Sequence, residues 1–184
     1  FGQFYTIIQL QSPIAGRVVN QSFTFVSQNP TVDADYDNYA ARYNTLFVSG
    51  AGNGGPVLSA ATAYNGLGVG AYNGSSSVGP TSDGRSKPDL TAPASLTSFS
   101  TPLVSGVAAL LFQAGARDDG GSGTATAATN SRVVKALLLN GAVKPPDWTN
   151  GITRPLDARY GAGVVNAFNS YHQLRGGRAG PVAT

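Results

Sequence analysis

Hydrophobic and polar positions divide the chain into short apolar runs separated by polar, glycine-rich segments. Three segments have the pattern of strands: 16–26, which contains a short apolar run and then alternates, and the apolar runs 45–49 and 66–72. Between the first two runs, four residues recur at helical spacing: Tyr36, Tyr39, Ala40 and Tyr43. We therefore predict a helix over residues 33–43, capped by Asp33. The order strand, helix, strand predicts a parallel crossover unit.

A dense apolar segment dominates the second half of the chain. Pro102 stands where a first helical turn accepts proline, and the residues from Leu103 to Phe112 are apolar enough for a buried helix. Because the continuous apolar run is about half of the roughly 20 residues that a membrane span needs, we expect no membrane segment. Two further segments have helical spacing: 133–141 and 164–174. We predict one domain over residues 1–175 and a flexible tail over 176–184.

Composition narrows the possible classes of protein. The absence of cysteine excludes disulfides, thiolate metal sites and cysteine nucleophiles. The net charge is +3, but the twelve basic residues are scattered without a basic run, so we expect no binding to nucleic acid. Only 11% of residues are charged and 24 are glycine, which favours a secreted or extracellular protein. The chain starts at Phe1 and lacks methionine, which indicates processing or a boundary inside a longer product.

Two residues are candidates for acyl-transfer chemistry. Ser98 precedes the predicted buried helix, where unpaired first-turn amides and the helix dipole favour negative charge. Asn53 follows a predicted strand in a glycine-rich turn, and its side-chain N–H could join the Ser98 backbone N–H in an oxyanion hole. Each residue also has a simpler interpretation. A serine at a helix start is commonly an N-cap, and Asn-Gly is a common turn.

Four motifs in order resemble the subtilisin-like serine peptidases. They are "RVVNQSFTF", "LFVSGAGNGG", "SSSVGPTSDGRSKPDLTAP" running on to "TSFSTPLVSGVAALL", and "RYGAGVVNA". The second is similar to the strand that ends in Ala-Gly-Asn. The third is similar to the segment that enters the nucleophile helix. Together the matches span about residues 18–167.

The resemblance implies an α/β fold, with a mostly parallel sheet covered by helices on both faces. Ser98 would be the acylated nucleophile and Asn53 the oxyanion donor, in a serine endopeptidase that needs no cofactor. Two sets of residues would line the primary specificity pocket: Gly50, Ala51 and Gly52 on one wall, and Ser22, Phe23 and Thr24 on the other. Their small side chains would leave room for a sizeable substrate side chain.

The chain also departs from the family pattern. Leu96 stands where the family has glycine, and only three residues separate "AP" from "TS", which predicts a shortened loop before Ser98. The family's aspartate and histidine motifs are absent, and family order would place both of them N-terminal to Phe1. The resemblance therefore implies a domain incomplete at its N-terminal side. Aspartate and histidine would come from a segment or separate chain outside this sequence.

Three alternatives remain open at this stage. His172, the only histidine, would lie in the last helix, and we expect a structural role for it rather than that of the base. The run Asp33, Asp35 and Asp37 could bind a structural calcium ion, although a solvated helix start is the simpler interpretation. Finally, the chain could be a non-catalytic relative that binds peptides or proteins in an extended groove, because pairing along a strand edge needs no base.

Overall fold

Four short strands form one parallel sheet in the computed structural model, which describes residues 2–176. The strands lie side by side in chain order: β1 (Val18–Gln21), β2 (Leu46–Gly50), β3 (Leu67–Ala71) and β4 (Leu90–Ala92). Within residues 2–176, six helices accompany them: α1 (Gly2–Gln9), α2 (Pro30–Tyr43), α3 (Thr97–Ala116), α4 (Ala125–Ala128), α5 (Ser131–Gly141) and α6 (Ala167–Gly176). Every strand pair is parallel, so the predicted α/β fold class is confirmed.

Helices cover both faces of this sheet, as predicted. Successive strand side chains point to opposite faces, so Leu46 and Val48 pack with residues of α3 and α5 while Phe47 packs with residues of α1 and α2. All five residues of β2 are buried. Full burial of such a side chain stabilises the fold by about 1.5 to 3 kcal/mol.

The second helix begins earlier than predicted and has a different cap. Asn29, not Asp33, is the N-cap: its side chain accepts hydrogen bonds from the backbone N–H groups of Thr31 and Val32. Pro30 occupies the first turn, where its missing N–H costs nothing. The predicted Asp33 cap was therefore wrong, because Asn29 and Pro30, four and three residues before it, provide a better start.

The helix that follows β4 also begins earlier, at Thr97, so Pro102 lies inside it. The predicted place of Pro102 in the first turn was wrong by one turn. By length and hydropathy α3 meets the criteria for a membrane span, but half of it is buried inside the domain. Core helices meet the same criteria, so this is weak support for a membrane segment.

Other boundaries differ in smaller ways. β1 covers only four residues of the predicted run 16–26, α1 was not predicted, and α6 begins three residues later than expected. The short α4 was not predicted either. Most of the predicted tail, residues 177–184, falls outside the described residues.

A buried cluster of three charges ties β4 to the rest of the domain. Asp89 accepts hydrogen bonds from the Gly68 N–H and the Lys87 ammonium, both at 2.6 Å, and pairs with Lys135 at 3.1 Å. Lys87 and Asp89 are 4% and 5% exposed. Burial lowers the pKa of Lys87 to about 8 against the opposing effect of Asp89. Burial alone would raise the pKa of Asp89, but Lys135 and Lys87 hold it below its ordinary value.

Acid is expected to weaken the loop around Asp157. Burial acts to raise the pKa of this carboxyl group, but backbone N–H groups of Thr149, Tyr160 and Arg159 lower it overall. A folded-state pKa below the unfolded value of about 3.9 gives stability that is complete above about pH 5 and lost as the pH falls through the folded pKa. Urea unfolding between pH 7 and 3 should show the free energy of unfolding falling with pH, and the fall should be smaller for Asp157→Asn. An equal fall in both proteins would contradict this role of Asp157.

Candidate active site

Ser98 is the second residue of α3, and the N-cap of that helix is Leu96, which makes no side-chain capping bond. The N-cap interpretation of Ser98 therefore does not describe the structure. Phe99 and Ser100 donate their N–H groups to the Leu96 carbonyl. Among the described residues, the Ser98 N–H has no acceptor. It is thus an unpaired donor at the positive end of a helix dipole.

Asn53 contacts the residue next to Ser98. Its Oδ1 accepts from the Thr97 backbone N–H at 2.8 Å and from the Thr97 hydroxyl at 2.9 Å. A backbone N–H can only donate, so the amide oxygen must face Thr97. Because the amide is planar, this also fixes the direction of Nδ2, which keeps two N–H donors. Asn53 is exposed, so these donors are accessible to a ligand.

A reciprocal pair of hydrogen bonds joins Ser98 to Ser22, the residue after β1. The Ser98 hydroxyl donates to the Ser22 carbonyl at 3.2 Å, and the Ser22 hydroxyl donates to the Ser98 carbonyl at 3.1 Å. The Ser98 carbonyl would normally accept from the N–H four residues later. That residue is Pro102, which has no N–H, and the Ser22 hydroxyl takes its place.

The two predicted walls of the specificity pocket follow neighbouring strands. Gln21 pairs with Ser49, so the segments that begin at Ser22 and Gly50 leave the sheet side by side. Ala51 is fully buried and donates its N–H to Val69, Phe23 packs edge-on against Phe4, and Thr24 is half-buried. The structure therefore brings both predicted sets of residues to the carboxyl ends of β1 and β2, where Ser98 also lies.

Close contacts with other parts of the chain explain two of the glycines. A Cβ on Gly50 would lie 3.1 Å from the Thr101 hydroxyl, and a Cβ on Gly52 would lie 2.5 Å from the Ser77 hydroxyl. Gly52 also has a φ of +107°, which disfavours other residues. Protein atoms occupy the space beside both glycines. Room for a sizeable substrate side chain stays a prediction, and these contacts limit the space available on the side of Gly50 and Gly52.

The single histidine lies far from Ser98. Its ring packs against the Phe168 ring in α6, and the two ring centroids are 4.1 Å apart. Phe168 borders a groove of about 360 Å³ together with Val107 and Ala114 of α3. At 1.5 Å per residue these two lie roughly 14 to 24 Å along the helix from Ser98. This position agrees with the expectation that His172 is not the base.

The three aspartates of α2 bind separate partners rather than one ion. Asp35 accepts from the Tyr5 hydroxyl, Asp37 from the Tyr64 and Asn65 N–H groups, and Asp33 from the Thr62 hydroxyl. Within residues 2–176, no group of three acidic or histidine side chains is close enough to hold a metal ion. Asp35 does not face Asp33 or Asp37, because residues two apart on a helix point in different directions, whereas Asp33 and Asp37 are four apart and lie on the same face with separate partners.

The parallel α/β sheet and the serine at the N-terminus of α3 agree with the subtilisin-like fold that the sequence motifs imply. The subtilase family model matches residues 5–163, and the chain belongs to this family. The prenylagaramide maturation protease PagA has 22% identity and a TM-score of 0.70, over 93% of this chain and 66% of that one. The S218A mutant of the PatA protease domain has 25% identity and a TM-score of 0.69, over 95% and 65%.

A macrocyclase has the same fold. PatG, solved in complex with peptide, has 19% identity and a TM-score of 0.68, over 94% of this chain and 55% of that one. No curated protein sequence matches the chain. The chain thus spans about two thirds or less of the length of these solved structures.

Sequence reasoning missed the residues that orient the candidate groups. Thr97 fixes the Asn53 amide, and Ser77 accepts the Gly54 N–H and donates to the Gly54 carbonyl within the same turn. Ser77 is 23 residues beyond Gly54, and no local pattern links the two. Thr97 could have been suspected from its place directly before Ser98, at a helix start whose first N–H needs an acceptor.

Proposed function

We propose that this chain supplies the nucleophile and the oxyanion-binding groups of a serine endopeptidase. Ser98 would be the acylated residue, and the aspartate and histidine of the triad would come from a segment or chain outside this sequence. The observation that carries the proposal is the orientation of Asn53. Its Oδ1 accepts two hydrogen bonds from Thr97, the residue before Ser98, so its Nδ2 donors are directed away from Thr97. Membership of the subtilase family supports the reaction class.

The proposed reaction follows acyl transfer to water. The base accepts the Ser98 hydroxyl proton as Oγ attacks a peptide carbonyl, and Asn53 Nδ2 with the Ser98 N–H stabilises the tetrahedral oxyanion. The C–N bond breaks as the protonated base returns the proton to the leaving amine. Water then attacks the acyl-enzyme with the same help, and the acid is released. No cofactor takes part.

In the structure the Ser98 hydroxyl is held by its hydrogen bond to the Ser22 carbonyl. A carbonyl oxygen is a poor proton acceptor, so this contact positions the hydroxyl without activating it. We therefore expect the 184-residue chain alone to react slowly, with only the residual rate that an oxyanion hole provides without a base. The substrate would be a peptide or protein in an extended conformation beside Ser22 and Gly50. A secreted location would suit such a peptidase.

Labelling with a serine-directed fluorophosphonate tests this function. The reagent should modify Ser98 in the longest product of the gene and react at least about 10⁴-fold more slowly with the 184-residue chain. Ser98→Ala should abolish the adduct, whereas Ser95→Ala, at an exposed serine three residues earlier, should retain it. Absence of an adduct at Ser98 in both proteins would overturn the proposal and favour a non-catalytic peptide-binding relative.

A further inference from the structure

Three polar side chains form a continuous chain of hydrogen bonds that ends at the backbone of Ser98. The Ser22 hydroxyl donates to the Ser98 carbonyl at 3.1 Å, and Asn20 Nδ2 donates to the Ser22 hydroxyl at 3.1 Å. The Ser105 hydroxyl donates to Asn20 Oδ1 at 2.9 Å. Ser98 and Ser105 are about two helical turns apart, so both face β1. The chain thus starts on α3, crosses β1 and returns to the first turn of α3.

The Ser98 carbonyl fixes the direction of these hydrogen bonds, because a carbonyl oxygen can only accept. Ser22 uses its one hydroxyl hydrogen on that carbonyl, so its oxygen is left to accept from Asn20 Nδ2. The Asn20 amide oxygen therefore faces Ser105. The Thr101 carbonyl is a second acceptor for the Ser105 hydroxyl, at 3.0 Å. Asn20 thus orients the Ser22 hydroxyl towards Ser98.

Pro102 explains why the Ser98 carbonyl takes its donor from outside the helix. An α-helix supplies that donor from the residue four positions later, and at this position Pro102 has no N–H. The replacement donor, the Ser22 hydroxyl, lies 76 positions earlier in the chain, directly after β1. The first turn of α3 is therefore attached to the sheet at the point where the helix lacks its own bond. The position of Ser98 consequently depends on β1.

The backbone of Ser98 is held on both sides. On the N-terminal side, the Thr97 N–H donates to Asn53 Oδ1 at 2.8 Å, and on the C-terminal side the Ser98 carbonyl accepts from Ser22. Together these contacts hold the residue that carries the candidate nucleophile and the candidate oxyanion N–H. Such groups work only when they are held within about 0.5 Å of the productive geometry. A displacement of about 1 Å can slow a reaction about 10²-fold.

We propose that Ser22, Asn20 and Ser105 are positioning residues for Ser98. The Ser22 hydroxyl replaces the N–H that Pro102 lacks, and Asn20, held by Ser105, orients that hydroxyl. The three side chains act through the Ser98 backbone and not on the reacting atoms. The inference rests on the proposed function, because it concerns how fast Ser98 reacts.

A double-mutant cycle with Pro102 tests the exchange of donors. In the longest product of the gene, Ser22→Ala should slow fluorophosphonate labelling of Ser98 about tenfold, because the first turn of α3 is released. Pro102→Ala restores an N–H that can donate to the Ser98 carbonyl, so in that background Ser22→Ala should slow labelling about twofold or less. Ser22→Thr keeps the hydroxyl and should label at close to the wild-type rate. An equal loss with and without Pro102→Ala would overturn the inference.

An isosteric change at Asn20 tests the orienting role. Asn20→Asp still accepts from Ser105 but cannot donate to Ser22, and it attracts the Ser22 hydroxyl hydrogen away from Ser98. It should slow labelling about as much as Ser22→Ala, and the two changes together should be no slower than either alone. The matched control is Asn38→Asp, at an exposed position of α2, which should leave labelling unchanged. Wild-type labelling by Asn20→Asp would contradict the inference.

Steady-state kinetics on a chromogenic peptide separate positioning from substrate binding. Ser22→Ala leaves the backbone beside the proposed substrate unchanged, so its loss should lie in kcat, with KM within about twofold of the wild-type value. A loss that lies in KM instead would identify the Ser22 hydroxyl as a substrate contact and exclude the positioning role.

Thermal unfolding of the 184-residue chain tests the same hydrogen bonds without reference to activity. Ser22→Ala should lower the thermal midpoint by about 2 to 4 °C, and by about 1 °C or less in the Pro102→Ala background. If this coupling is present but the wild-type longest product does not label at Ser98, the proposed function fails and the hydrogen bonds have a structural role only. If the wild-type product labels but neither cycle shows coupling, the positioning role is wrong while the proposed function stands.

Discussion

Replacement of Asp89 by alanine is expected to lower the free energy of unfolding by about 3 to 5 kcal/mol, a large fraction of the roughly 5 to 15 kcal/mol of a typical domain. The change leaves the buried Lys87 ammonium and the Lys135 ammonium, whose side chain is 15% exposed, without their shared counter-ion, and the Gly68 N–H without its acceptor. The two like charges then repel each other. Urea unfolding followed by circular dichroism measures the loss.

The control for Asp89 is an exposed ion pair in the preceding loop. Asp83 pairs with Arg85, but its side chain is 50% exposed, so Asp83→Ala should cost about 1 kcal/mol or less. Asp89→Asn should fall between the two, because it can still accept from Gly68 but loses the charge. A loss below about 1 kcal/mol for Asp89→Ala would show that water reaches both ammonium groups.

Replacement of Asn53 by leucine is expected to slow peptide hydrolysis by the longest product of the gene by about 10² to 10³, a loss of the size measured for the oxyanion asparagine of subtilisin itself. Leucine has a similar shape but cannot donate to an oxyanion. The effect should lie in kcat with KM nearly unchanged, because the donor acts on charge that develops only in the transition state. Steady-state kinetics on a chromogenic peptide would measure both constants.

Two further variants show whether the Asn53 effect is catalytic. Thr97→Val keeps the backbone N–H contact with Oδ1 and removes only the hydroxyl contact, so its effect on kcat should be much smaller. Asn38→Leu, at an exposed position of α2, should leave kcat unchanged. A loss in KM rather than kcat for Asn53→Leu would indicate substrate binding and not oxyanion stabilisation.

Local sequence patterns predicted the elements of the fold better than their boundaries. The apolar runs identified β2 and β3 to within a residue, because strands buried on both faces require continuous apolar residues. The start of α2 was placed at Asp33 rather than Asn29, because several polar residues near a helix start can serve as caps. α1 was missed because its eight residues bury only Ile8.

The candidate site was predictable only where a residue and its neighbours form a continuous motif. Ser98 and Asn53 were found in this way, and the structure brings them to either side of Thr97. The Ser22 contact was not predictable, since it spans 76 residues and depends on the absence of an N–H at Pro102. The ion pair of Lys135 with Asp89 likewise joins α5 to the residue directly before β4, 46 positions away in the chain.

The sequence by itself determined the α/β class, the family resemblance and the two candidate groups, because apolar periodicity and contiguous motifs are local properties. Only the tertiary structure decided which way the Asn53 amide faces, where the Ser98 hydroxyl rests and which face of α3 stays uncovered. Those features depend on atoms that the fold brings together from distant parts of the chain. Gly106 illustrates the difference. The sequence shows a glycine in a helix, and only the packing shows that no described residue lies close enough to exclude a side chain there.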